Sequence, residues 1–268
     1  MIIDFHTHIF PDRIASKTIA LLSEKGGIPP FSDGSVAGLT ERMQQAGVDL
    51  SVTLPVLTNP LQFDSVNGYA AQINEMFAEC SPRLISFGGI HPDCEDIDKK
   101  MAFLRKSGFL GVKIHPDYQM TYIDDEKYVQ ILQCAKEYDM IVVTHAGVDS
   151  AYRENVRCTP DRALNLIRRV PYSKLVLAHL GANEMPEEVI EKLCGEDVYF
   201  DTAYVLRFTD RTHFQNVVRL HGEDKLLFAT DSPWSDIRND VNILKSFGLP
   251  QETENKIFCE NAKKLLGI

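Results

Sequence analysis

The chain has 268 residues, 44% of them hydrophobic and 25% charged, and 28 basic against 38 acidic side chains give a net charge of −10. This is a globular composition that excludes disordered and fibrous classes, and the length suits one or two domains, a single α/β barrel using about 250 residues. The acidic balance argues against a broad nucleic-acid or anionic-membrane surface, so a small-molecule substrate is the expected partner.

No stretch approaches the ~18 apolar residues of a membrane span, and the first residues enter a strand without a basic-then-apolar leader, so a cytoplasmic location is expected. Cys80, Cys94, Cys134, Cys158, Cys194 and Cys259 show no C-x-x-C spacing and read as reduced thiols. Oligomeric state is not legible, and a homo-oligomer stays open.

In chain order, residues 1–8 form an apolar strand that ends in His6-Thr7-His8. Side chains two apart on a strand share a face, so the two imidazoles can reach one metal ion. A long connection over 9–34, with a short helical stretch at 14–23, precedes a helix over 35–45 and a strand over 50–55. A helix over 65–79 leads to a strand at 84–92 that ends in His91. A helix at 94–106 precedes a strand at 109–116 that ends in His115. The same alternation continues as helix 125–138, strand 140–147 with His145, helix 160–169 and strand 174–181 with His179. Helix 186–194, strand 198–203, helix 210–220 and strand 226–233 with Asp231 follow, and helices at 236–246 and 251–266 close the chain.

Eight continuous apolar runs alternating with helical segments are the pattern of parallel strands buried on both faces, which predicts a single-domain (β/α)8 barrel over 1–268. An open doubly wound sheet would carry a glycine-rich phosphate turn after its first strand, where this chain has His-Thr-His. Six of the eight histidines, His6, His8, His91, His115, His145 and His179, fall at the C-terminal ends of predicted strands. In a barrel those ends surround one mouth, where active sites lie. Neutral imidazoles with one carboxylate suit zinc, manganese or iron, and Asp231, beside strand 1 once the barrel closes, supplies the carboxylate.

At this point the chain resembles the amidohydrolase superfamily, within it the amidohydrolase-related (amidohydrolase 2) group. The resemblance rests on Asp4-Phe5-His6-Thr7-His8, His145, Ala178-His179-Leu180-Gly181 and Ala229-Thr230-Asp231-Ser232-Pro233-Trp234, and covers essentially the whole chain. It implies a divalent metal held by His6, His8, His145 and Asp231, with His179 as a further ligand or a catalytic residue. Some members of the superfamily bridge two metals with a carboxylated strand-4 lysine, a position Lys113 could fill. An unmodified Lys113 that neutralises buried carboxylates or binds an anionic substrate is the favoured reading, and with it one metal, most simply zinc, with manganese next.

The expected activity is metal-dependent hydrolysis of an amide, lactone or ester in a small carboxylate-bearing substrate. Asp231 would move the proton, with His179 beside it, and His91, Lys113, His115 and Arg153 would contact the substrate. The alternative is nonoxidative decarboxylation of a hydroxylated aromatic acid. A TatD-like nuclease shares H-x-H and Gly89-Ile90-His91-Pro92, but its strand-4 glutamate is missing between Gly111 and His115 and the charge is acidic.

Overall fold

The computed structural model describes all residues, Met1–Ile268. Its strands are β1 (Ile3–Thr7), β2 (Leu50–Thr53), β3 (Arg83–Ser86), β4 (Gly88–Gly89), β5 (Gly111–Ile114), β6 (Ile141–Thr144), β7 (Leu175–Leu177), β8 (Tyr199–Asp201) and β9 (Leu226–Leu227). Every pairing is parallel, in the orders β1-β2-β3 and β4 through β9. β3 and β4 are two halves of one stave: Phe87 lies between them, and its N–H still bonds Thr53 O at 3.0 Å. The ring closes where Phe5 N–H donates to Phe228 O (2.9 Å) and Asp231 N–H to His6 O (2.8 Å). The result is the predicted eight-stave (β/α)8 barrel, and closure leaves no unpaired edge.

The helices that cover it are α1 (Asp12–Gly26), α2 (Val36–Ala46), α3 (Phe63–Met76), α4 (Ile97–Lys106), α5 (Glu126–Glu137), α6 (Pro160–Arg169), α7 (Pro186–Lys192), α8 (Arg211–His221) and α9 (Ile237–Ser246). Their starts follow local chemistry: Ser35, Asp125, Thr159, Asp210 and Asp236 each accept a first-turn N–H through the side chain. Two expectations change. Most of the long connection over 9–34 is helix α1, which a glycine in the left-handed region, Gly27, terminates. The closing segment 251–266 is not one uniform helix: a π turn at Lys256–Glu260 interrupts it, and Ile257 O accepts the N–H of Phe228 at the barrel seam.

Inside the barrel, Ile3, Phe5, Val52, Phe87, Val143 and Val176 form one apolar plug, and a larger apolar layer fills the space between staves and helices. This plug sets a parity problem for β1. Ile3 and Phe5 face inward, so strict alternation would turn His6 and His8 outward. A bulge solves it: Asp4 pairs with Ser51 but Thr7 pairs with Thr53, which inserts one extra residue. Asp4 holds the bulge, its Oδ1 accepting His6 N–H (3.2 Å) and Thr230 N–H (3.0 Å) and its Oδ2 accepting the Thr230 hydroxyl (2.6 Å).

Beyond β6, Gly147 runs against the backbone of Asn183, with φ +82° and room for no Cβ: the atom would lie 2.2 Å from Asn183 N. Gly147→Ala is therefore expected to destabilise by at least about 1–3 kcal/mol from backbone strain alone. Urea unfolding tests this, and a change within about 0.5 kcal/mol, the scale of an ordinary surface substitution, would contradict the packing.

Candidate metal centre and active site

The β1 bulge, the β9 extension and the ends of β5 to β8 bring the site together. His6, His8 and Asp231 each offer a donor atom within 4.8 Å of the others. Hydrogen bonds assign their tautomers. His6 Nδ1 lies 2.8 Å from Asp201 Oδ2, and His8 Nδ1 lies 2.8 Å from Leu54 O. Both partners are oxygen acceptors, so each Nδ1 is the donor, and with a cation at the site each Nε2 turns a lone pair inward. Those lone pairs face Asp231 Oδ1, at 3.4 Å from His6 and 3.0 Å from His8. Burial pushes the Asp231 carboxyl up, and positive charge at this point, which His8, His6 and His179 supply when protonated and a cation supplies when they are not, outweighs it and holds the carboxyl at about 2.

Three electron-pair donors converging on one point need a proton or a cation between them. The donor set, with each imidazole fixed from behind by an oxygen, fits a divalent ion. Removing one imidazole should remove the ion, so His6→Ala is expected to lose a bound metal that wild type keeps at about one per chain. Elemental analysis of protein prepared without added metal measures this, and a wild type that neither carries nor takes up a transition metal would refute the assignment.

Lys113, 1% exposed, places its Nζ 3.1 Å from His6 Nε2. Burial pulls its ammonium down to about 8, and the charges of Asp201 and Asp231 resist the fall. His179 Nδ1 donates to Ala203 O at 2.9 Å, so its Nε2 accepts from His145 Nδ1, also at 2.9 Å. His145 Nε2 is then a buried lone pair without a partner, 3.8 Å from Asp117 Oδ2, which is also unpartnered. The His115 ring stacks on His145 at 4.3 Å, with its Nε2 3.5 Å from Asp149 Oδ2. His179 and Asp231 hold left-handed φ values of 61° and 66°, which aims both side chains into the mouth at a cost in backbone strain.

The site opens onto one cavity of about 190 Å³, whose lining also includes Leu22 and Gly26 of α1 and residues 148–151. His6, His8, Lys113, His115, His145, His179 and Asp231 all line it. The structure does not bring the other two expected substrate contacts to it. His91 is buried beside the mouth, accepting Asp93 N–H at 3.1 Å through Nδ1. Arg153 is exposed and forms a two-bond pair with Glu184, because the 147–160 loop carries it away from the cavity.

Sequence reasoning passed over Asp201, the carboxylate that orients His6, although a buried acid at a strand end was a readable signal. Asp149, Asp117 and Asn183 were not readable, since nothing local marks a loop carboxylate or amide as facing a histidine.

Fold and site together define a barrel enzyme of the amidohydrolase type. The chain belongs to the amidohydrolase family, whose model matches residues 3–268. No curated relative matches its sequence. Among solved structures it is similar to 2,6-dihydroxybenzoate decarboxylase from Rhizobium, at 14% identity and TM-score 0.73 over 99% of this chain and 98% of that one. A dihydroxybenzoic acid decarboxylase from Polaromonas, with bound manganese and 2-nitroresorcinol, is similar at 14% identity and TM-score 0.75 over 99% and 96%. A probable 2-pyrone-4,6-dicarboxylic acid hydrolase from Acinetobacter baumannii, with citric acid bound, is similar at 14% identity and TM-score 0.70 over 100% and 99%. At such identities the likeness speaks for the fold.

Proposed function

We propose that this protein is a metal-dependent hydrolase of a small carboxylate-bearing substrate, cleaving an amide, lactone or ester. The observation that carries the reading is the convergence of His6 Nε2, His8 Nε2 and Asp231 Oδ1 beside the buried Lys113, whose ammonium lies 3.1 Å from His6 Nε2 and turns to other acceptors once that lone pair holds an ion. A divalent ion there supplies a Lewis acid that polarises a carbonyl and makes water acidic near neutrality. His6, His8 and Asp231 are the residues to hold it, with His145 and His179 as candidate further ligands. The donor chemistry suits zinc, and manganese is bound in the Polaromonas structure.

The chain's own residues do the rest. Lys113 is an ammonium without a carboxylate partner in a low-dielectric pocket, so it takes the substrate's anion. Asp231, ionised and aimed into the mouth, accepts the proton of the attacking water and returns it to the leaving atom. Asp201 keeps the His6 ring in its productive tautomer. His115, beside Lys113, supplies a further polar contact. Leu22 and Gly26 of α1 and residues 148–151 wall the cavity beside these groups.

The second reading is decarboxylation of a hydroxylated aromatic acid. It is favoured by the apolar and aromatic wall of Phe10, Leu54, Tyr118 and Trp234, which suits a planar ring, and by the decarboxylases among the similar structures. Incubating metal-loaded protein with phenolic acids and with lactones or amides of dicarboxylic acids, and measuring carbon dioxide against acid release, separates the two. Carbon dioxide without acid would sink the hydrolase reading. A nuclease has little support, since Lys113 is the one Lys or Arg lining the cavity.

A further inference from the structure

A second cavity, of about 430 Å³, opens beside the first and shares His179, Asn183 and Tyr204 with it. The two lobes adjoin at these three residues, of which His179 also belongs to the proposed reacting centre. Their chemistry differs. The first lobe holds the Lys113 ammonium; the second has a buried floor of Leu180 and Val205 and a wall carrying Phe208, an aromatic ring left 68% exposed. With Leu180, Pro186 and Val205 beside it, the ring gives this lobe an apolar lining that a small apolar group fits.

Charge gives the second lobe a sign. Glu184 is taken by Arg153 through bonds of 3.0 and 2.6 Å. Glu187 has no cationic partner, and Asp210 is occupied in capping α8 through His213 N–H at 2.9 Å. The Arg207 guanidinium lies against the rings of Tyr204 (4.5 Å) and Phe208 (4.8 Å) and offsets one of these charges. A net negative charge remains. The backbone supports a shaped wall: of the eight non-glycine residues with left-handed φ, His179, Leu180, Glu184 and Tyr204 line this lobe. Such strain is kept where a fold must hold a particular surface.

We propose that the second lobe is a leaving-group subsite that receives an apolar or aromatic amine. The inference rests on the hydrolase reading and deepens it: among amides, lactones and esters it selects an amide, R–CO–NH–R′, whose acid half R carries the carboxylate held by Lys113. Water oxygen bonds to the acyl carbon, the C–N bond breaks with its electron pair going to nitrogen, and the water protons end on that nitrogen. The products are R–COO⁻ and R′–NH3⁺. The amine half leaves as a cation into the lobe that carries Glu187 and Asp210.

The test uses three amides of succinic acid, with methylamine, benzylamine or 4-carboxybenzylamine as the leaving half, and the metal-loaded full chain. The benzylamide is expected to exceed the 4-carboxybenzylamide in kcat/KM by about 10-fold or more. Phe208→Ala and Glu187→Gln should each lower the benzylamide-to-methylamide ratio of kcat/KM by about 10-fold. An unchanged ratio in both variants, or a preference for the carboxylated ring, overturns the subsite. Binding of benzylamine itself, followed by saturation-transfer NMR, reads the lobe without turnover. Transfer to wild type that Phe208→Ala abolishes supports the subsite even where no amide is cleaved, an outcome that fails the hydrolase reading alone. No transfer to wild type overturns the subsite.

Discussion

Asp231→Asn is expected to keep the fold and much of the bound metal while losing at least about 10²-fold in kcat, the usual scale of general acid–base catalysis. The fold should hold because position 231 sits at φ +66°, where Asp and Asn are the side chains that tolerate the left-handed region best. Asn keeps the size of Asp and one oxygen toward the ion, but its amide accepts no proton. The wild-type carboxyl is held at about 2, so it is ionised throughout the neutral range and needs no pH adjustment to act as acceptor. Metal content by elemental analysis and kcat with excess metal must be measured on the same protein. Near wild-type kcat under saturating metal would show that Asp231 serves as ligand alone, and would move the proton acceptor to His179.

Lys113→Met is expected to lower kcat/KM for an acidic substrate by about 10- to 150-fold, from the loss of a charge-assisted hydrogen bond worth about 1.5–3 kcal/mol. Met fills much of the same volume, so the barrel interior stays packed and the ion stays bound. Burial has pulled this ammonium to about 8, which adds a pH signature. The charged form binds the anion and is lost as pH rises through the folded pKa, so wild-type kcat/KM should fall above about pH 8. The Met variant should lack that limb. Unchanged kinetics in the variant with the native acid would place the carboxylate elsewhere in the cavity.

The barrel and most of its site were legible because they depend on short-range patterns. Continuous apolar runs alternating with amphipathic helices give parallel staves, and in a closed barrel every stave ends at the same mouth. His6, His8, His115, His145, His179 and Asp231 could therefore be grouped from strand ends, and Lys113 from the strand face it shares with His115, and the structure lines one cavity with them. His91 obeyed the same rule yet stays outside, because a strand end fixes the rim a residue occupies but not the direction of its ring. Arg153 was chosen from a loop, where periodicity gives no direction at all, and its charge is taken by Glu184.

What only the tertiary structure decided is the orientation and the partner of each group. The β1 bulge turns His6 and His8 inward against strict alternation, and it exists because Asp4 meets Thr230 from 226 positions away. Asp201 fixes the His6 tautomer across a separation of 195 residues. Sequence by itself determined which residue types reach the mouth, since that follows from local backbone geometry. Which lone pairs converge there, and which carboxylate stands behind each ring, depends on contacts made after the barrel has closed.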